Sequence, residues 1–238
     1  MPPAGWRRNS GGFPGSPRCC RWPYPEPAGS GVPAAGFPYP WSVYRWIDGE
    51  NLAEHPVADE GHTAISLGRF VAALHRTDVS GAPRAVRDGH VSVLDDRVRG
   101  EINDLGADGT IDAGLVTAAW QDALTAPART SPPALIHADL HPANLLARDG
   151  RLAAVIDFGC LGVGDPAVDL LPAWALLTRQ TRDLFRAEAG ADDATWTRGR
   201  GWALGLGLGA ACYYRATNPV LAAIGRHSIE EAIADWLR

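Results

Sequence analysis

The tract from Asn144 to Asp157 constrains this chain more than any other. Leu145-Leu146-Ala147-Arg148 and Arg151-Leu152-Ala153-Ala154-Val155-Ile156 are β-prone runs separated by Asp149-Gly150, the strongest short-range signal for a hairpin. A two-residue turn sets the register: with Arg148 facing Arg151, Asn144 comes opposite Val155, and Asp157 lies two residues further along the same face. Diagonal neighbours of this kind are about 7 to 8 Å apart at the backbone, close enough for an amide oxygen and a carboxylate to converge on one cation. Magnesium takes hard oxygen ligands and leaves its other positions to water and phosphates, so two protein side chains suffice. Asn144 and Asp157 are therefore expected to share Mg2+. Asp139 precedes Asn144 by five residues and falls at the base of the hairpin. A carboxylate there can orient a hydroxyl and take its proton. That is the role of a base, not of a third metal ligand.

The flanking residues complete a longer pattern. His137-Ala138-Asp139-Leu140-His141-Pro142-Ala143-Asn144, then Ile156-Asp157-Phe158-Gly159, has the spacing of a kinase catalytic loop followed by a metal-binding Asp before Phe-Gly. Together with Gly164-Asp165-Pro166-Ala167 and Asp169-Leu170, this block resembles the aminoglycoside phosphotransferase family and its choline-kinase-like relatives. The resemblance extends from Trp41 to the C-terminus and includes Trp41-Ser42-Val43-Tyr44-Arg45-Trp46 and Leu74-His75. It implies an α+β, protein-kinase-like fold, represented mainly by its helical C-terminal lobe with a short catalytic hairpin. It also implies Asp139 as catalytic base, Asn144 and Asp157 as Mg2+ ligands, and a nucleotide hinge at Tyr44, Arg45, Trp46 and Ile47. ATP would be the donor and a small-molecule hydroxyl the acceptor; aminoglycosides, macrolides, choline-like alcohols and sugars all suit related folds, and fold alone does not choose among them.

Four further residues read as support for the loop. His137 and His141 are expected to hold it by packing and hydrogen bonding rather than to react. Asp165 before Pro166 is the signature of a helix N-cap with proline at the first helical position. Asp169, as the resemblance implies, braces the loop through backbone hydrogen bonds. A competing reading takes His137-x-Asp139-x-His141 as a zinc-ligand cluster of a metal-dependent hydrolase, since alternation in an extended segment puts the three on one face; no further histidine motif completes such a site. Asp192-Asp193 and the acids Glu230, Glu231 and Asp235 read as solvated helix faces.

Around this block the chain divides in two. Residues 1–40 hold about half of its 19 prolines and many glycines, without a strand or helix period, and are expected to be irregular or disordered. Order is expected to begin at Trp41, with a hinge over residues 41–50 and a helix-rich lobe to residue 238. Helices are expected over 62–76 with Thr63 as N-cap, 93–105, 111–124, 166–178 with a break at Pro172, 181–189, 194–215 and 219–237, and a short strand over 134–136. The net charge of −5 is spread without long runs, which argues against a nucleic-acid or membrane partner and for a small molecule. The four cysteines lack C-x-x-C spacing, consistent with a reduced, cytoplasmic setting.

One absence weighs against full activity. All 22 basic residues are arginine, so the strand lysine that grips ATP phosphates in kinase-like enzymes has no counterpart. Arginine's planar fork does not replace a point-charge ammonium. Gly29, Gly31 and Gly36 sit among prolines without flanking strands and make a poor phosphate loop. The N-terminal β lobe is thus expected to be largely missing, leaving severely reduced turnover, or a non-catalytic remnant or binding protein.

Overall fold

The computed structural model describes residues 26–238, and its first described segment is a hairpin. β1 (Pro27–Gly31) pairs antiparallel with β2 (Trp41–Tyr44), with Gly31 opposite Trp41. The indole of Trp41 lies over Gly31, so an aromatic cross-strand neighbour covers backbone that glycine leaves bare. This corrects the irregular reading of residues 1–40 over Pro27–Gly31, and it gives Gly29 and Gly31 the strand context that composition denied them. Residues 1–25 of that segment lie outside the described residues, and 32–40 form the connection between the two strands.

From the hinge the chain enters β3 (Glu50–Asn51), the edge of a three-stranded antiparallel sheet in the order β3-β5-β6. α1 (Glu60–His75) follows. Its cap is Asp59, whose Oδ1 accepts the His62 N–H at 2.8 Å. Thr63, the residue expected to cap, is buried, and its hydroxyl donates to the Asp59 carbonyl at 3.0 Å. A 3-10 turn at Val91–Leu94 leads into α2 (Asp95–Ala107), and Asp112 caps α3 (Ala113–Leu124). β4 (Ala134–Ile136) precedes the hairpin of β5 (Leu145–Arg148) and β6 (Arg151–Val155). β7 (Gly162–Gly164) then returns antiparallel to β4. At Pro172 a 3-10 turn, Pro166–Leu170, gives way to the short α4 (Pro172–Ala175), because proline supplies no N–H to continue the ladder.

α5 (Arg179–Ala189), α6 (Asp193–Tyr213) and α7 (Pro219–Trp236) complete the lobe. α6 is its central pillar, burying Trp202, Leu204 and Leu208. It meets α7 backbone to backbone: a Cβ on Gly225 would lie 2.6 Å from the Gly207 carbonyl oxygen. α1 packs on α5. Arg182, buried on α5, donates to the Ala173 carbonyl at 2.6 Å and pairs with Glu231 and, at 3.5 Å, with Asp235 of α7. Glu231 and Asp235 therefore anchor a buried guanidinium, whereas Glu230 is exposed, as a solvated helix face requires. The described residues form an α+β, mainly helical body with three small sheets, and a single two-stranded sheet precedes residue 45. No helix among them is long and apolar enough to cross a membrane.

Candidate active site

The hairpin turn forms as its residues require: Asp149 (φ 52°) and Gly150 (φ 73°) are both left-handed, as a twist-compatible two-residue turn demands. Arg148 faces Arg151 and Ala147 faces Leu152, but Leu146 then faces Ala154 and Leu145 faces Val155. Ala153 is the extra residue of a bulge. The Ile156 N–H consequently donates to the Asn144 carbonyl at 3.0 Å, so Asn144 comes opposite Ile156 and not Val155. A one-residue slip reverses the facing of every later side chain. Asp157 thus stands one residue beyond the partner of Asn144, and its own left-handed backbone (φ 58°, ψ 66°) redirects its carboxylate. One of its oxygens, Oδ1, accepts the Gly159 N–H at 3.2 Å.

The loop that carries Asp139 is held from beneath by Asp169. That carboxylate, with no exposed surface, accepts the His137 N–H at 2.9 Å and the Ala138 N–H at 2.8 Å, and meets His75 Nε2 at 3.1 Å. Between these donors Ala138 adopts φ 66°, an uncommon conformation for a residue with a Cβ. His137, equally buried, spans the loop: Nε2 is 3.0 Å from the Ile156 carbonyl and Nδ1 is 3.3 Å from the Asp139 N–H. Both contacts are satisfied by one neutral tautomer, with the proton on Nε2. With both ring nitrogens committed to backbone, His137 is not free to bind a metal. Among the described residues no group of three or more His, Cys, Asp or Glu side chains could hold a metal ion, so His137, Asp139 and His141 do not converge there as a ligand cluster.

Asp139 itself faces Arg87, whose Nη1 donates both to the Asp139 carboxylate and, at 2.6 Å, to the Ala138 carbonyl. Asn144 is buried beside it; its Nδ2 donates to the Asp139 carbonyl at 2.9 Å and lies 3.5 Å from Asp139 Oδ2. His141 closes the ring, with Nε2 3.8 Å from Asp139 and Nδ1 accepting the Ala143 N–H at 3.3 Å. Burial pushes its imidazole below the usual range, and the neighbouring Arg87 adds to this while Asp139 opposes it. Cys160 is partly buried and its thiol is pushed up, chiefly by desolvation.

Arg87 carried no signal in the sequence, because the segment that delivers it is positioned by a tertiary contact. The Ala85 N–H donates to the Val163 carbonyl at 3.0 Å, and the Val163 N–H to the Pro83 carbonyl at 2.7 Å. That approach requires glycine at Gly162, where a Cβ would lie 2.5 Å from the Ala85 nitrogen. Asp165 caps the 3-10 turn through the Ala167 N–H, as its Asp-Pro pairing suggested, but it also holds Arg198 of α6 in a buried bidentate pair at 2.8 and 3.3 Å. Asn51 is a second unforeseen contributor; its amide donates to the Ala143 carbonyl at 2.7 Å and ties β3 to the loop that carries Asp139. Of the residues expected to form a hinge, Tyr44 ends β2, the Arg45 N–H donates to the Glu26 carbonyl at 2.8 Å, Trp46 is exposed and Ile47 is half-buried.

A cleft of about 520 Å3 opens beside Asp139 and His141, walled by the segment around Arg87 and by α2, α6 and α7. The arrangement sets Asp139, beside Asn144 at the open end of the hairpin, against a cavity large enough for a small organic molecule.

Comparison with known proteins places the fold. Among solved structures, one titled as the GDP and kanamycin complex of APH(2")-IIia superposes with a TM-score of 0.62 at 21% identity, covering 91% of this chain and 78% of that one. Macrolide 2'-phosphotransferase MphH from Brachybacterium faecium gives 0.57 at 21% identity, covering 87% and 73%. A ternary complex of aminoglycoside phosphotransferase APH(4)-Ia with AMP-PNP and hygromycin B gives 0.56 at 20% identity, covering 89% and 77%. At these identities the likeness establishes the fold. No curated protein sequence matches significantly. The profile of the phosphotransferase enzyme family (APH) matches residues 19–202, most of the chain, and the chain therefore belongs to the phosphotransferase enzyme family.

Proposed function

We propose that this chain is an ATP- and Mg2+-dependent phosphotransferase that moves the terminal phosphate to a hydroxyl of a small molecule, with Asp139 as the base. The observation that carries this reading is the position of Asp139 at the mouth of the cleft, with Asn144 hydrogen-bonded to its backbone. Arg87 engages Oδ1 of Asp139, while Oδ2 meets only the Asn144 amide, at 3.5 Å. Oδ2 is then the oxygen that orients an acceptor hydroxyl in the cleft and receives its proton. Asn144 and Asp157 supply the hard oxygen donors that magnesium prefers. The Asn144 amide nitrogen is taken by the loop, which leaves its carbonyl oxygen for a cation, and Asp157 keeps Oδ2 outside its contact with Gly159. Magnesium held there would neutralise charge on the phosphate oxygens during transfer. The hinge of Tyr44, Arg45, Trp46 and Ile47 is the expected seat of the adenine.

The absence of lysine favours a second reading, a lobe that keeps the site but performs no chemistry. The two are separated by following thermal stability and phosphoryl transfer with magnesium-ATP. Binding should raise the melting temperature by mass action. Asp139→Asn should abolish transfer while preserving that rise, and Asp157→Ala should diminish the rise itself. No shift with the wild-type chain would establish the remnant.

A further inference from the structure

The charge pattern of the cleft bears on which hydroxyl compound enters it. Three carboxylates line it, Asp88, Glu101 and Asp139, and each is already engaged by an arginine: Asp88 by Arg84 at 2.6 Å, Glu101 by Arg97 at 2.6 Å, and Asp139 by Arg87. Arg87 and Arg97 themselves line the cleft, so two arginines against three carboxylates leave a net charge of only −1, and that remaining acid is bound by Arg84 outside it. Much of the rest of the wall is apolar, with Leu94, Trp202, Leu206, Leu221 and Ile224 contributed by the segment before α2 and by α6 and α7. Trp202 also has a buried indole N–H without a hydrogen-bond partner.

A compound bearing several ammonium groups would have to strip these arginines from their partners or bury its charges unpaired, and either is costly. An apolar face, by contrast, gains from covering this wall. We infer that the acceptor is an alcohol with an extended apolar face and at most one positive charge, closer in chemistry to a macrolactone than to a polyamine sugar. The inference rests on Asp139 being the base that faces the acceptor.

Calorimetric titration of the full chain with erythromycin and with kanamycin, at matched ionic strength, tests it. Erythromycin should bind saturably and at least about tenfold more tightly than kanamycin. Arg97→Gln, which frees Glu101, should tighten kanamycin binding and narrow the gap. Kanamycin binding as tightly as erythromycin to the wild-type chain, or no saturable binding of erythromycin, would overturn the inference. Phosphoryl transfer is followed in the same samples with magnesium-ATP. Erythromycin bound but never phosphorylated would defeat the proposed reaction while leaving the cleft's preference standing, and transfer to kanamycin alone would do the reverse.

Discussion

Asp169 shows how much a single buried carboxylate can organise. It accepts two consecutive backbone N–H groups of the catalytic loop and faces His75. Asp169→Ala would strand both donors in a site without water, and each unsatisfied buried group costs about 1 to 3 kcal/mol; a loss of about 2 to 4 kcal/mol is expected from urea unfolding. Ala138, held at φ 66° by those bonds, should tolerate glycine, whereas Ala138→Val should cost more than about 2 kcal/mol, because a β-branched side chain resists the left-handed region. His141 gives a pH signature. Its folded pKa lies below the unfolded value of 6.5, so below that value the unfolded chain takes up a proton that the native chain resists. Stability should fall as pH drops through 6.5 and level off below the folded pKa. Comparing urea midpoints of the wild type and His141→Gln across that range isolates the effect: the variant's curve should be flatter. The candidate roles of Asp139, Asn144 and Asp157 came from their spacing and the motif around them, and the bracing by Asp169 from the family resemblance; of these the structure displays the bracing. Arg87 was not, because an isolated arginine in an irregular segment acquires meaning only when the fold sets it against Asp139.

At the scale of elements, the helices followed from apolar spacing and the hairpin from Asp149-Gly150. What escaped sequence reasoning was of two kinds. A two-residue turn dictates only the rungs beside it, and the bulge at Ala153 shifts the register beyond them; nothing in Leu152-Ala153-Ala154 announces a bulge. Likewise Gly31 was unreadable as strand until Trp41 was seen across from it. Gly162 belongs to the same class, its need for glycine arising from residues 83–85 on another part of the chain. Gly162→Ala should push that segment off β7, lowering stability by about 1 to 3 kcal/mol, the usual cost of overpacking. Since the segment carries Arg87, amide exchange over residues 83–88 should accelerate and phosphoryl transfer should fall. If exchange rises elsewhere and not there, the proposed dependence of Arg87 on Gly162 is wrong.

On the scale of the whole molecule, the lobe that builds the acceptor cleft is well packed, while the described part of the other lobe is one hairpin with several large apolar side chains in solvent. Tyr39 is 62% exposed, Val43 51% and Trp46 88%. Large apolar side chains exposed on and beside a short sheet favour association with other chains. The chain should therefore self-associate as its concentration rises, and the effect should lie in the hairpin rather than in the helical lobe. Replacing Tyr39 and Val43 together (Tyr39→Ser, Val43→Thr) removes apolar surface without touching a buried contact, so unfolding stability should change by less than about 0.5 kcal/mol per site. Light scattering should show the onset of association moving to higher concentration in the double variant. An unchanged onset would place the association surface elsewhere, and a large fall in stability would mean that the hairpin is more tightly integrated with the lobe than its exposure implies.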